Sequence, residues 1–255
     1  LRSAVLLVSS LASKELKVRY KRSVLGFSWF LLKPLFLTAV LSVVFTRILR
    51  FGGEIRHYPL FLLPGLLVWN CFSSSLSAAS TSLLDNVRLI RSARFPRAAL
   101  PVSSVIANSV HLLLAMVVLE ALLLAFGHFP SPAVPLLLPA LVLFLAITTG
   151  LSLMLAVWNV YYRDVALFLE VLLQAWFYAS PVIYPADSGL LPGAISTAIR
   201  LNPVSGILEI VQSLLYYGRT PPAWAWISLA AWAVALPVLG MLVFRHAEPA
   251  VVKEL

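Results

Sequence analysis

The stretch AVPLLLPALVLFLAITTGLSLMLAV, residues 133–157, contains no Asp, Glu, Lys, Arg or His over its 25 positions. A helix needs ~20 mostly apolar residues to cross the ~30 Å hydrocarbon core of a bilayer. This run is therefore read as a membrane span. Five more apolar runs extend outward from it, at 25–47, 59–81, 101–126, 165–184 and 222–244, separated by short basic or turn-rich links. Of these, 165–184 is the shortest and least apolar. With 61% hydrophobic residues and a mean hydropathy of +0.95, a water-soluble domain of this size could not hide its apolar surface. The expected fold class is an all-α membrane protein with six transmembrane helices, forming a single transmembrane domain over residues 1–255. No stretch is left over for a folded soluble domain, so any water-phase chemistry must come from a partner.

The formal charge of +9 and pI near 10.1 would suggest nucleic acid in a soluble protein. Here the charge sits between spans, where Lys and Arg mark the cytoplasmic side. With the N-terminus inside, Arg2, Lys14, Lys17, Arg19, Lys21, Arg22, Arg88, Arg91, Arg94, Arg97, Arg163, Arg245 and Lys253 fall inside. Arg47, Arg50, Arg56, Arg200 and Arg219 fall outside. Both termini are thus expected in the cytoplasm, and no nucleic-acid partner is expected. The opening residues do not have the layout of a cleavable signal peptide. Cys71 is the sole cysteine and reads as a small core residue. The four histidines have no metal-ligand spacing, and no phosphate-binding loop or nucleophile elbow occurs. No cofactor is expected in this chain.

The links are more informative than the spans. Over residues 1–23, Ser3, Ser10, Lys14, Lys17 and Lys21 form a polar stripe opposite Val5, Val8, Ala12 and Leu16. That pattern predicts an N-terminal amphipathic interface helix lying in the membrane plane. Anchoring to anionic lipid and a role toward substrate both explain its basic face. Lys33-Pro34 places a cation and a helix breaker inside the first span, with snorkelling and head-group binding both open. At 85–97, Asp85-Asn86 offers a helix start and Phe95-Pro96-Arg97 a stop. The two turns between carry Arg88 and Arg91 three apart. A helix docked into a partner and a basic loop that sets topology both fit.

A tight turn, Trp158 to Asp164, joins the fourth and fifth spans. Glu170, Gln174 and Tyr178 then share one face of the fifth, where an ionisable group should face the bundle interior or a wet cavity. Glu120 in the third span reads as a buried structural hydrogen bond. Ser180-Pro181-Val182-Ile183-Tyr184-Pro185 breaks the helix at the outer surface, and residues 185–221 are apolar but repeatedly interrupted. The run 204–217 is too short to cross, so short re-entrant or periplasmic helices are expected before the last span. Trp176, Tyr178, Tyr184, Tyr216, Tyr217, Trp224 and Trp226 gather at that level, as an aromatic belt or as stacking faces for sugar rings.

Taken in order, several stretches resemble the permease subunit of type-2 ATP-binding-cassette polysaccharide exporters. They are Arg-Tyr-Lys-Arg-Ser-Val-Leu-Gly (19–26) with Trp29 and Lys33-Pro34, then Pro64-Gly65 onward to Phe72, then Phe95-Pro96-Arg97. Residues 159–165, 180–185, Leu201-Asn202-Pro203 and Val243-Phe244-Arg245 complete the set. This family includes Wzm-like O-antigen exporters and the teichoic-acid and capsule exporters. The resemblance implies a homodimer, two nucleotide-binding ATPase subunits that hold ATP and Mg, and a lipid-linked polysaccharide as cargo in the bacterial inner membrane. Trp29, Phe30, Trp69, Phe72, Glu170, Gln174, Trp176, Phe177 and Tyr178 become substrate-pathway candidates. Lys14, Lys17, Lys21, Arg22 and Lys33 become guides for the lipid pyrophosphate. Asp85, Arg88, Arg91, Phe95 and Arg97 become a cytoplasmic coupling helix, with Arg163 and Asp164 as a second inner contact. Residues 185–221 become a periplasmic gate.

Export of teichoic acid, capsule, drug or lipid by the same architecture stays open. A polytopic glycosyltransferase or ligase would need convergent acid/base or metal-binding groups at one membrane level, and Glu120, Glu170 and His111 are too dispersed. A purely structural membrane protein would leave the basic link at 85–97 without purpose.

Overall fold

The computed structural model describes residues 2–19, 28–44, 57–92, 95–127, 129, 131–186 and 193–254, with side chains for all of these except 2–5, 15–19, 30 and 251–254. Among them the chain is helical, with no strand. In order come α1 (Arg2–Arg19), α2 (Trp29–Val43), α3 (Tyr58–Asp85), α4 (Val87–Ser92) and α5 (Ala99–Ala125). A 3₁₀ turn, Val134–Leu136, leads into α6 (Leu137–Tyr161), and α7 (Val165–Ala179) follows. After α8 (Gly193–Leu201), α9 (Ser205–Val211) runs on as a π turn, Gln212–Tyr216, before α10 (Ala223–Glu254).

Among the described residues four helices are long and apolar enough to cross a bilayer: α3, α5, α6 with its 3₁₀ turn, and α10. The α8–α9 pair passes the same test only when joined, but bends by 91° at Asn202-Pro203, so the described residues hold four or five candidate spans. The all-helical expectation is met, whereas the six-span arrangement is finer than these four or five candidates support. α2 and α7 have 15 residues each, which is roughly 22 Å of helix against a ~30 Å core. The run expected at 165–184 is helical only to Ala179. Ser180 is extended (φ −106°, ψ 146°) because Pro181 excludes the α region from the residue before it. Conversely, the last helix continues well past 244, to Glu254.

α3 is the axis of the bundle. Phe61, Leu62, Val68, Phe72, Ala79 and Leu83 along it are all fully buried, packed by α5, α6, α7 and the α9 segment. One large hydrophobic cluster fills the bundle from Tyr58 to Leu76 of α3. A smaller one, built on Leu83, Ile90, Leu100, Leu153 and Phe244, closes the end that carries α4. α1 lies against α5, with Ala12 buried and Leu11 reaching the smaller cluster.

α6 and α10 form the most extensive helix pair, and their backbones touch. A Cβ built on Gly240 would fall on the carbonyl of Gly150, and one on Gly150 would fall on the backbone of Leu236 and Pro237. Only residues without a side chain allow two helices this close.

Candidate functional site

The two ends of the bundle carry different chemistry. At the α4 end, α3 stops at Asp85, whose carboxylate Oδ2 accepts from Thr81 Oγ1 at 2.7 Å. Asn86 breaks the helix (φ −115°, ψ 26°) and donates Nδ2 to the Ser82 carbonyl at 2.9 Å. α4 then turns off as a short helix. Ile90 pins it to the smaller cluster, while Arg88 and Arg91 are exposed. Phe95 packs against the same cluster, and Arg97 pairs with Glu248 of α10 at 3.1 Å. α4 is therefore tied on one side to α3 and, through the following turn, to the far end of α10. Arg163 and Asp164 stand exposed in the α6–α7 turn at this same end, where Asn159 Oδ1 accepts from the Ala166 N–H at 3.1 Å and caps α7.

Between the ends, α3 and α7 bring five of the expected pathway residues together. Trp69 and Phe72 have ring centroids 5.5 Å apart. Phe72 meets Trp176 edge-on at 5.3 Å, and Trp69 meets Phe177 at 5.7 Å. Tyr178 joins through Phe177 at 5.2 Å. Edge-to-face packing of this kind adds to the stabilisation from burial. Phe72 is fully enclosed, whereas Tyr178 is 56% exposed, so the cluster is a wall with one open face. That face borders a cavity of about 280 Å³ lined by Trp69, Gln174, Phe177, Tyr178 and the α2 residues Leu37 and Leu41. Glu170 is exposed one helical turn before Gln174, beside the uncovered Leu167, Phe168 and Val171. Trp29 and Lys33 are exposed one turn apart on α2, away from the cluster's ring contacts. Lys14 is exposed on α1. The expectations for Lys21 and Arg22, and for the side chains of Lys17 and Phe30, lie outside the described residues.

The wall is fastened to the opposite end by residues not singled out in the sequence as site residues. Trp176 Nε1 donates to Asn202 Oδ1 at 3.0 Å. Asn202 Nδ2 donates to Ser180 Oγ at 2.9 Å, and Asn202 Oδ1 also accepts from the Val204 N–H, opening α9. The turn after α7 is held at two further points. Gln212 Nε2 donates to the Pro181 carbonyl at 3.3 Å, and the Tyr58 hydroxyl donates to the Ile183 carbonyl at 2.7 Å. The last carbonyls of α8 are satisfied from α10, by Ser228 Oγ on Arg200 and Trp232 Nε1 on Leu201.

Glu209, in the middle of α9, is 2% exposed. Its Oε1 accepts from Ser213 Oγ at 3.0 Å and from Arg219 Nη2 at 3.1 Å. Arg219 also lies 4.6 Å over the Tyr217 ring. Burial raises the Tyr217 hydroxyl above the usual phenol range, Arg219 opposing and Glu209 adding to the effect. The signal for Glu209 was present in the sequence: a lone carboxylate inside the apolar run 204–217 needs a partner.

The bundle thus combines an aromatic wall, a fastened bent hairpin at one end and a short cationic helix at the other. The ABC-2 type transporter family model matches residues 7–216, and the chain belongs to that family. It is similar to the O-antigen export system permease protein RfbA of Myxococcus xanthus, 34% identical over 230 residues that cover 90% of this chain and 88% of that protein. It is also similar to RfbA of Klebsiella pneumoniae, 29% identical over 240 residues (92% and 89% of the two chains). The polysialic acid transport protein KpsM of Escherichia coli is more distant, 22% identical over 248 residues covering 95% and 94%.

Proposed function

We propose that this chain is the transmembrane subunit of an ATP-driven exporter that moves undecaprenyl-pyrophosphate-linked polysaccharide, O-antigen foremost, across the bacterial inner membrane. The observation that carries this reading is the α3–α7 aromatic wall, open along one side and tied through Asn202 to the bent hairpin. It is supported by the similarity to O-antigen export permeases over nearly the whole chain.

One protomer has few polar faces, and its α7 presents Leu167, Phe168, Val171 and Tyr178 to the outside. A second copy set against that side would enclose a conduit between two aromatic walls. Both α2 and α7 are then short spans within a twelve-helix assembly, with both termini in the cytoplasm. Aromatic faces suit a long glycan because they contact sugar rings without fixing one hydrogen-bond geometry. The pyrophosphate sets a different requirement, because an unpaired anion in hydrocarbon costs on the order of 20 kcal/mol by idealised Born estimates. Lys14, Lys17, Lys21, Arg22 and Lys33 supply guiding cations from the interface helix and α2. α4, with Arg88 and Arg91 outward, receives the power stroke of an ATPase subunit docked below it. Ile90 and the Arg97–Glu248 pair carry that stroke to the bundle. The α8–α9 hairpin acts as the periplasmic gate.

Deleting the gene should cause lipid-linked polysaccharide to accumulate in the cytoplasm, and resupplying the chain together with its ATPase should restore surface display. Unchanged surface polysaccharide in the deletion strain would overturn the assignment.

A further inference from the structure

The structure holds a cavity of about 420 Å³ at the α4 end, between α1, α3 and α5, within the size range of small-ligand sites. Seven of its ten described lining residues are polar. Its depth follows from helix ends. Thr81, Ser82 and Asp85 are in the last turn or so of α3, and Ser103 is in the first turns of α5. Both helices are of spanning length, so the cavity opens at head-group level, with α1 lying alongside.

The polarity of the lining is specific. Thr81 Oγ1 donates to Asp85 Oδ2 at 2.7 Å, Ser82 Oγ to the Ala79 carbonyl at 2.7 Å, and Ser103 Oγ to the Leu100 carbonyl at 2.7 Å. Each of these hydroxyl hydrogens is committed within the protein, so the three hydroxyls offer a ligand only their lone pairs. Asp85 adds a carboxylate with further acceptor capacity. Across from this acceptor wall, α1 contributes Lys14, the one ammonium among its described lining residues. The wall therefore wants a cation rich in N–H donors, and Lys14 wants an anion beside it.

We infer that this cavity binds the zwitterionic head group of a resident phosphatidylethanolamine, its ammonium on Asp85, Thr81 and Ser103 and its phosphate on Lys14. A primary ammonium brings three donors to the acceptor wall. A choline head group brings none, and an anionic head group sets its charge against Asp85. A pyrophosphate is disfavoured in this cavity for the same reason, so any contact Lys14 makes with the export cargo lies outside it. Asp85 and Asn86 also form the joint between α3 and α4, so an occupied cavity braces the base of α4. The inference rests on the proposed function only in placing this end at a membrane face.

The test is binding of dioleoyl-phosphatidylethanolamine to the purified full-length chain in detergent, read by native mass spectrometry. Its N-methyl and N,N-dimethyl derivatives, phosphatidylcholine and phosphatidylglycerol are measured beside it. Affinity should fall stepwise as N–H donors are lost. Phosphatidylcholine, which has lost all three donors, should bind at least about tenfold more weakly, tenfold being the order expected for one charge-assisted hydrogen bond alone. Asp85→Asn should flatten that series, and Lys14→Gln should weaken all zwitterionic lipids alike. Equal binding of phosphatidylethanolamine and phosphatidylcholine to the unmodified chain would overturn the proposal without needing any variant. So would tightest binding of phosphatidylglycerol that is lost in Lys14→Gln and strengthened in Asp85→Asn. No polysaccharide is present in the assay, so a negative result leaves the export reading standing, and failure of export leaves the lipid result intact.

Discussion

The indole N–H of Trp176 donates to the side-chain carbonyl of Asn202 at 3.0 Å, joining the end of the aromatic wall to the elbow of the bent hairpin. Asn202 also holds Ser180 Oγ and opens α9 through the Val204 N–H, so one amide fixes three segments at once. Trp176→Phe keeps a ring in the wall but drops this bond, at about 1 kcal/mol. Asn202→Leu removes every one of these bonds and leaves the indole N–H and the Val204 N–H without their partner, at about 2–4 kcal/mol. Thermal unfolding of the purified chain should rank the variants in that order. Export should fall further in Asn202→Leu than in Trp176→Phe, and equal behaviour of the two would remove Asn202 as the strut.

Glu209 and Arg219 form the second fastening of the hairpin. Arg219→Ala leaves a buried carboxylate with Ser213 Oγ as its remaining side-chain donor. Losing one partner of a fully buried pair costs about 3–5 kcal/mol. The Arg219 side chain is 54% exposed, so about 1–3 kcal/mol is expected here. Glu209→Gln should be milder, because it keeps a hydrogen-bonding group in place. A double-mutant cycle with Glu209→Leu and Arg219→Leu should return a favourable coupling energy, and strict additivity would contradict the latch.

At Gly150 and Gly240 there is no room for a methyl group, since the obstructing atoms are backbone. Gly240→Ala should force α6 and α10 apart and cost about 1–3 kcal/mol, as overpacking does. Gly193→Ala is the matched control, since nothing among the described residues lies within 4 Å of a Cβ built there. Thermal stability and expression level in membranes should separate the two.

Arg88 and Arg91 are exposed on a helix held by Ile90. Reversing both to Glu should leave membrane insertion intact. Export and the ATPase activity of the assembled complex should become uncoupled. Normal export in this double variant would mean that α4 only sets topology.

Much of this was legible in the chain because it depends on local rules. The span α6 follows from an uncharged apolar run, and α4 from a helix-starting Asp85-Asn86 followed by a helix-stopping Pro96. Ser180-Pro181 marks the break after α7, though the helix stops five residues short of the expected boundary because the backbone before a proline is restricted. The convergence of Trp69, Phe72, Trp176, Phe177 and Tyr178 was anticipated only as a set of aromatics; their ring contacts depend on how α3 and α7 pack. Two things could not be read from local pattern. Trp176 and Asn202 are 26 residues apart in sequence, beyond the reach of any local pattern, and meet only in the packed bundle. The Gly150–Gly240 contact needs the relative rotation of two helices whose apolar faces give no directional signal, since both are apolar all round.

The central claim is that α4 lies on the cytoplasmic face with an ATPase subunit beneath it. A cysteine introduced as Arg88→Cys in a Cys71→Ala background tests this most directly, because Cys71 is the only other thiol and is buried. A membrane-impermeant maleimide should label this site in inside-out membrane vesicles and not in intact spheroplasts, and co-expression of the nucleotide-binding subunit should protect it. Labelling from the periplasmic side of spheroplasts would contradict the account.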